Sequence, residues 1–216
     1  MTLKLLDLFA GAGGAGEGYR RAGFTIHGVD ITPHPDYPGT YTVGDWADAL
    51  KDLADWADVI HASPPCPRYS RATPAHRRDA HPDLVEPVRE ALQAIGKPYV
   101  IENVPGSPLI DPAIYCGSSF GLRVRRHRLF ESNIPLTAPA CDHKAQGQVV
   151  GVYGAHADRP GGWKRPDGRS RGVKATSVQD AGHALGITHM TNWSDLADSI
   201  PPAYAAHIGH QIISQL

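Results

Sequence analysis

The stretch Leu3-Lys4-Leu5-Leu6-Asp7-Leu8-Phe9-Ala10-Gly11-Ala12-Gly13-Gly14-Ala15-Gly16 decides how the rest of the chain is read. Residues 3–9 form a short, nearly continuous apolar run, the pattern of a strand buried on both faces. A glycine-rich turn follows, residues 17–22 continue as a helix, and Gly23 ends it. Residues 24–30 then read as a second strand that closes on Asp30. Strand, glycine turn, helix and strand make a βαβ unit. Within it Gly11-x-Gly13-x-x-Gly16 has the spacing that permits a tight turn and close approach of a ligand to the backbone. Glycine-rich turns also arise for purely structural reasons.

The acids that follow strengthen a nucleoside-binding reading. Asp30, at a strand end, can accept hydrogen bonds from two ribose hydroxyls. Asp45, after a third strand, can meet an adenine amino group or cap the helix expected over residues 46–53. NAD and S-adenosylmethionine both carry adenosine, so this half of the chain does not separate them. No Gly-x-x-x-x-Gly-Lys-Ser/Thr occurs, which excludes a P-loop.

Further along, two apolar runs end in reactive side chains. Residues 59–62 lead into Ser63-Pro64-Pro65-Cys66-Pro67, a proline-stiffened loop bearing a thiol. Residues 98–102 lead into Glu102-Asn103-Val104. A thiolate and a carboxyl group delivered from two strand ends fit covalent attack on a pyrimidine ring. Residues 64–81 read as a polar loop, 84–95 as an amphipathic helix, 148–153 as a strand and 155–174 as an irregular, basic loop. Residues 178–185 form a helix, and Pro201-Pro202 opens a last helix running to about residue 213. Alternating strands and helices argue an α/β fold with a mostly parallel sheet.

With 216 residues, 41% hydrophobic and 20% charged, the chain reads as one soluble globular domain. It contains no apolar run long enough to span a membrane and no signal-peptide pattern at its start, so the expected setting is intracellular and cytoplasmic, without a membrane partner. The three cysteines form no disulfide framework. Cys141-Asp142-His143 lacks a second ligand pair at zinc-site spacing, so it reads as a loop, and no metal is expected. The net charge of −1 is uninformative, but basic residues cluster. Arg68, Arg71, Arg77 and Arg78 follow Cys66; Arg123, Arg125, Arg126 and Arg128 form a second group; Lys164, Arg165, Arg169, Arg171 and Lys174 form a third. Any one cluster is ordinarily a solvated face. Three beside candidate site segments favour a phosphate-bearing partner.

Taken in order, Asp7-Leu8-Phe9-Ala10-Gly11-Ala12-Gly13-Gly14, Pro64-Pro65-Cys66 with Ser70, Glu102-Asn103-Val104 and Arg126-His127-Arg128 resemble the signatures of C5-cytosine DNA methyltransferases. The resemblance covers residues 3–131 well and 176–213 less specifically. It implies a Rossmann-like S-adenosylmethionine-dependent methyltransferase fold with a small irregular insert: a catalytic and cofactor-binding core over residues 1–131, a short basic insert over 132–175, and C-terminal helices over 176–216 completing the core. By resemblance, Phe9, Ala10, Gly11 and Gly13 line the methionine moiety, Asp30 holds the ribose, Asp45 the adenine, and Pro65 borders the cofactor. Cys66 is the nucleophile, Glu102 its partner at the base, Arg128 holds the O2 edge of the base or orders the pocket, and Arg126 supports the site or a phosphate. Ser70, Arg68, Arg71, Asn103, Lys164 and Arg165 face the nucleic acid.

That chemistry accounts for the residue types. A thiolate adding to C6 of cytosine raises electron density at C5, and a carboxyl group at N3 stabilises the charge that develops. A base inside a duplex has to be flipped out to reach the thiol. Three departures from the family pattern stand out: Val124 where a glutamine is common, Ala15 where an aromatic residue is common, and a compact region where a larger target-recognition domain is usual. The expectation is a monomeric DNA methyltransferase with a short or relaxed target. An RNA cytosine methyltransferase and a non-catalytic nucleic-acid-binding relative are the alternatives. A different group transferred from a modified sulfonium is untested by the sequence.

Overall fold

The computed structural model describes residues 2–70, 73–157 and 173–216. In chain order the elements are β1 (Lys4–Leu8), α1 (Gly14–Ala22), β2 (Thr25–Asp30), β3 (Thr40–Val43), α2 (Trp46–Leu53) and β4 (Val59–Ala62). Then come α3 (Val85–Ile95), β5 (Tyr99–Asn103), β6 (Ala113–Tyr115), β7 (Arg128–Ser132), β8 (Val150–Gly151) and β9 (Val173–Lys174). The chain finishes with α4 (Val178–Leu185), α5 (Trp193–Asp198) and α6 (Pro202–Ile213). Short 3₁₀ turns occupy Ala75–Ala80 and Gly117–Phe120.

Seven strands form one sheet in the order β3-β2-β1-β4-β5-β7-β6. Every pairing from β3 to β5 is parallel, whereas β7 runs antiparallel to both β5 and β6. The period of two along each strand sorts side chains between two helical layers. Leu5, Val59 and Val100 pack with Tyr19 of α1 and Tyr204, Ile208 and Ile212 of α6. Leu6, Leu8, Ile60 and Ile101 point the other way, onto Leu50 of α2 and Val88 and Leu92 of α3. Burial on both faces explains why β1, β4 and β5 read as continuous apolar runs.

Glycine sets the spacing of α1 and α6. A Cβ added at Gly18 would lie 2.3 Å from the Pro202 carbonyl oxygen, and one at Gly209 would lie 2.8 Å from Ala22 Cβ. The main chains therefore approach closely at both ends of the seam. A third apolar cluster joins Val150, Val152 and Ala175 to Leu185 of α4 and Leu196 of α5.

The α/β class and the mostly parallel sheet agree with the sequence reading, with some changes. Helix α1 begins at Gly14 because Gly13 takes a left-handed conformation (φ 86°) that closes the turn quickly. The strand expected over residues 148–153 shrinks to β8, paired in parallel with β9. Val150, Val152 and Ala175 lie in the third core cluster. Strands β6 and β7 and helix α5 were not anticipated. Among the described residues, no helix is long and apolar enough to cross a membrane.

Candidate active-site cleft

A cleft of about 1060 Å³ opens at the carboxyl ends of β1, β2, β4 and β5, the usual location of ligand sites in open parallel sheets. At its near end, Phe9 leaves β1 with φ 58°, a conformation uncommon outside glycine that often marks a functional turn. Gly11 follows at φ 51°, with open space where a side chain would stand. Its N–H donates to Asp30 Oδ2 at 3.0 Å, and the Thr32 N–H donates to Oδ1 at 3.0 Å. Each carboxylate oxygen is held by one main-chain donor, and each has further acceptor capacity.

Asp45 lines the same region but also caps α2, accepting from the Ala47 N–H at 2.8 Å. The cap is thus formed, and the side chain still borders the cleft. Ile31, 75% exposed, and Trp46 line the cleft between the acids, and Trp46 packs on Phe9 with ring centroids 5.8 Å apart. These two apolar surfaces, able to cover a purine face, were not singled out in the sequence. Gly13, in contrast, faces Pro38 and Tyr37 and does not line the cleft; it shapes the turn.

Beneath the glycine turn lies Asp7, fully buried and accepting from the Tyr37 hydroxyl at 3.1 Å. Burial, reinforced by nearby Asp30 and opposed by the Tyr37 hydrogen bond, pushes its carboxyl up to about 7.

At the far end, the loop after β4 carries Cys66. Asn103, fully buried, donates from Nδ2 to the Pro64 carbonyl at 2.9 Å and accepts the Val104 N–H on Oδ1 at 2.8 Å. The Tyr69 and Ser70 N–H groups both donate to the Cys66 carbonyl at 3.0 Å. The loop is thus fixed from both sides, and Pro65, Cys66 and Ser70 face the cleft with Glu102 and Arg128.

Glu102 ends β5, and Arg128 begins β7. Arg128 Nε lies 3.0 Å from Glu102 Oε1, an ion pair without hydrogen-bond alignment, and Oε1 has no hydrogen-bond partner among the described residues. A buried carboxyl oxygen left open toward a cleft is costly unless a ligand donor completes it. Burial raises the Glu102 carboxyl above its ordinary range, against Arg128 and a hydrogen bond from Ser63. Ser63 Oγ in turn lies 2.9 Å from His61 Nε2, whose Nδ1 lies 3.0 Å from the Tyr19 hydroxyl. Burial lowers His61 to about 3, so this inner chain of polar groups is held by a neutral imidazole. The same burial pushes the Cys66 thiol up, with Arg128 opposing and Glu102 adding to the shift.

Several expected site residues have other duties. Arg126 adopts φ 31° and donates its guanidinium to the carbonyls of Leu196, Ser199 and Val152. Burial, aided by Arg128, lowers it to about 9. It clamps the end of α5 to the strand region at residue 152. Asn103 is engaged with the Pro64 loop. Arg68 sits 3.2 Å from an Asp83 carboxylate oxygen and 3.7 Å from one of Asp79, which neutralises it within its own loop. Arg71, Lys164 and Arg165 lie outside the described residues.

Asp198, at the end of α5, was missed. It lines the cleft, and burial raises its carboxyl while Arg126 and Arg128 oppose. The signal for α5 was present in Asn192-x-x-Asp195, a cap pair in which Asn192 Oδ1 accepts the Asp195 N–H at 2.9 Å.

The sheet order, the single antiparallel strand, the glycine turn and the acids after β2 and β3 define the fold of S-adenosylmethionine-dependent methyltransferases. No family model matches the chain. It is 33% identical over 121 residues to the Type II methyltransferase M.AgeI of Thalassovita gelatinovora, covering 48% of this chain and 28% of that protein. It is 31% identical over 121 residues to the Type II methyltransferase M.NgoMIV of Neisseria gonorrhoeae, covering 52% of this chain and 38% of that one. The chain thus spans about a third of the length of these curated relatives. Among solved structures it superimposes on a protein described as a prophage-encoded DNA modification methyltransferase (Escherichia coli), with TM-score 0.67, 14% identity and 99% of both chains covered. These similarities agree with the resemblance carried by the four motifs.

Proposed function

We propose that this protein transfers a methyl group from S-adenosylmethionine to C5 of cytosine in DNA. The observation that carries the reading is the joint opening of Cys66 and Glu102, from adjacent strand ends, into the cleft that Asp30 and Asp45 border at its other end. The residues present fit the cofactor. Gly11 leaves its backbone open, Asp30 has acceptor capacity for ribose hydroxyls, and Ile31 and Trp46 offer apolar faces to adenine. When bound, S-adenosylmethionine supplies an electrophilic methyl group on a sulfonium.

The chain's own groups do the rest. The Cys66 thiolate adds to C6 of an extrahelical cytosine, forming a C–S bond and moving the ring electrons toward C5. Glu102, biased toward its protonated form by burial, meets N3 and stabilises the charge that accumulates there. Arg128 holds Glu102 in place and borders the base. After C5 is methylated, water in the open cleft takes the C5 proton, the C–H electrons re-form the C5–C6 double bond, and the C–S bond breaks to release Cys66 as thiolate.

The test uses 5-fluorocytosine, whose C–F bond blocks that last elimination. Protein, labelled S-adenosylmethionine and DNA containing 5-fluorocytosine are expected to give a covalent adduct on Cys66. An adduct with RNA alone would move the substrate to RNA. No adduct with either polymer, from folded protein that binds the cofactor, would overturn the mechanism.

A further inference from the structure

Away from the cleft, four side chains that the sequence separates come together. Cys116 follows β6, His127 directly precedes β7, and Cys141 and His143 belong to the segment after β7. One ligand atom from each lies within 4.8 Å of every other. Cys116 Sγ is 3.2 Å from His143 Nε2, and Cys141 Sγ is 3.6 Å from His127 Nε2. The sequence reading dismissed Cys141 and His143 as ligands because it found no second pair. The fold supplies that pair through the β6–β7 connection.

We infer that Cys116, His127, Cys141 and His143 bind a zinc ion as a closed structural site. The donor set is the two-thiolate, two-imidazole combination that zinc favours. Bonds of about 2.3 Å to sulfur and 2.0–2.1 Å to nitrogen put tetrahedral ligand atoms roughly 3.3–3.8 Å apart, close to the two separations above. The imidazole rings of His127 and His143 stand at 81° with centroids 5.2 Å apart, an orientation suited to two ligands radiating from one ion.

The surroundings support the ligands. Ser118 Oγ donates to Cys116 Sγ at 3.2 Å, and the same oxygen accepts the Asp142 N–H at 3.1 Å. Ser119 Oγ donates to the Ala140 carbonyl at 2.9 Å, and Gln146 Nε2 donates to the Leu122 carbonyl at 2.9 Å, so the ligand-bearing segment is docked along its length. None of the four ligands lines the cleft. Four protein donors leave no open position, so the ion is structural. It fastens the segment after β7 to the β6–β7 connection. Because His127 stands between Arg126 and Arg128, it also fixes the main chain from which those two arginines reach inward.

The test measures metal in the intact protein purified without chelator and supplied with zinc. About one zinc per chain is expected. Replacement by cobalt(II) should give the intense visible bands of a tetrahedral ion together with thiolate-to-metal charge transfer in the near ultraviolet. Cys141→Ser and His143→Ala, at positions outside the fully buried core, should cut retained zinc to less than about a tenth, while Cys66→Ser keeps the full amount. Zinc-free wild-type protein that yields no tetrahedral cobalt spectrum would overturn the site. So would a Cys116–Cys141 disulfide in protein kept under reducing conditions, or variants that retain zinc like the wild type.

Discussion

At the scale of single residues, the cleft couples a thiol and a carboxyl group that burial holds away from their ordinary ionisation. Cys66→Ser should lose the 5-fluorocytosine adduct yet bind cofactor as before, measured by gel shift of the adduct and by calorimetry. Glu102→Gln should slow transfer by about 10²–10⁴-fold, the range of a lost acid–base group. With its thiol pushed up, Cys66 should be alkylated by iodoacetamide at a rate still climbing past pH 9, and Arg128→Ala should slow that reaction at any given pH. Peptide mass spectrometry separates Cys66 from exposed Cys141. Asp7 gives a stability signature. Its folded value near 7, against 3.8 for the free side chain, means that between those limits the folded state holds a proton that the unfolded state has lost. Stability should therefore fall as pH rises through that window, with a penalty of at most about 4 kcal/mol fully present above pH 7. Asp7→Asn should flatten this dependence in urea unfolding measured at pH 5 and pH 8.

At the scale of elements, the α1–α6 seam depends on side chains that are absent. Gly18→Ala would drive a methyl group toward the Pro202 carbonyl and should cost about 1–3 kcal/mol in urea unfolding. Gly147→Ala, with nothing within 4 Å, should stay within about 0.5 kcal/mol of wild type. The elements that carry the thiol and Glu102 were legible because strands buried on both faces, as β4 and β5 are, announce themselves as apolar runs ending in polar residues. Strands β6 and β7 escaped because Ala113–Tyr115 is short and Arg128–Ser132 holds only Leu129 and Phe130 as apolar residues, side by side between polar ends, so tertiary packing decides both. Arg126 and Asn103 look like ligand residues in a linear motif. Only the folded chain reveals that their donors are used on main-chain carbonyls.

At the scale of the whole molecule, contacts to base edges determine sequence choice, and the proposed function keeps the short 132–175 region in the place of a larger target-recognition domain. Bisulfite sequencing of DNA treated with the protein should reveal a short or relaxed target; a single long recognition site would contradict this. The packing of α6 on α1 also has a consequence for biosynthesis. Gly14, where the glycine turn enters α1, lies against the Ile200 carbonyl, so a Cβ there would sit 2.5 Å from its oxygen. The turn leaves the ribosome about 186 residues ahead of the residue that backs it. Contacts so far apart in sequence form late, because a long loop must close first. A nascent chain thus carries its glycine turn exposed until Ile200 is made and can pack behind it.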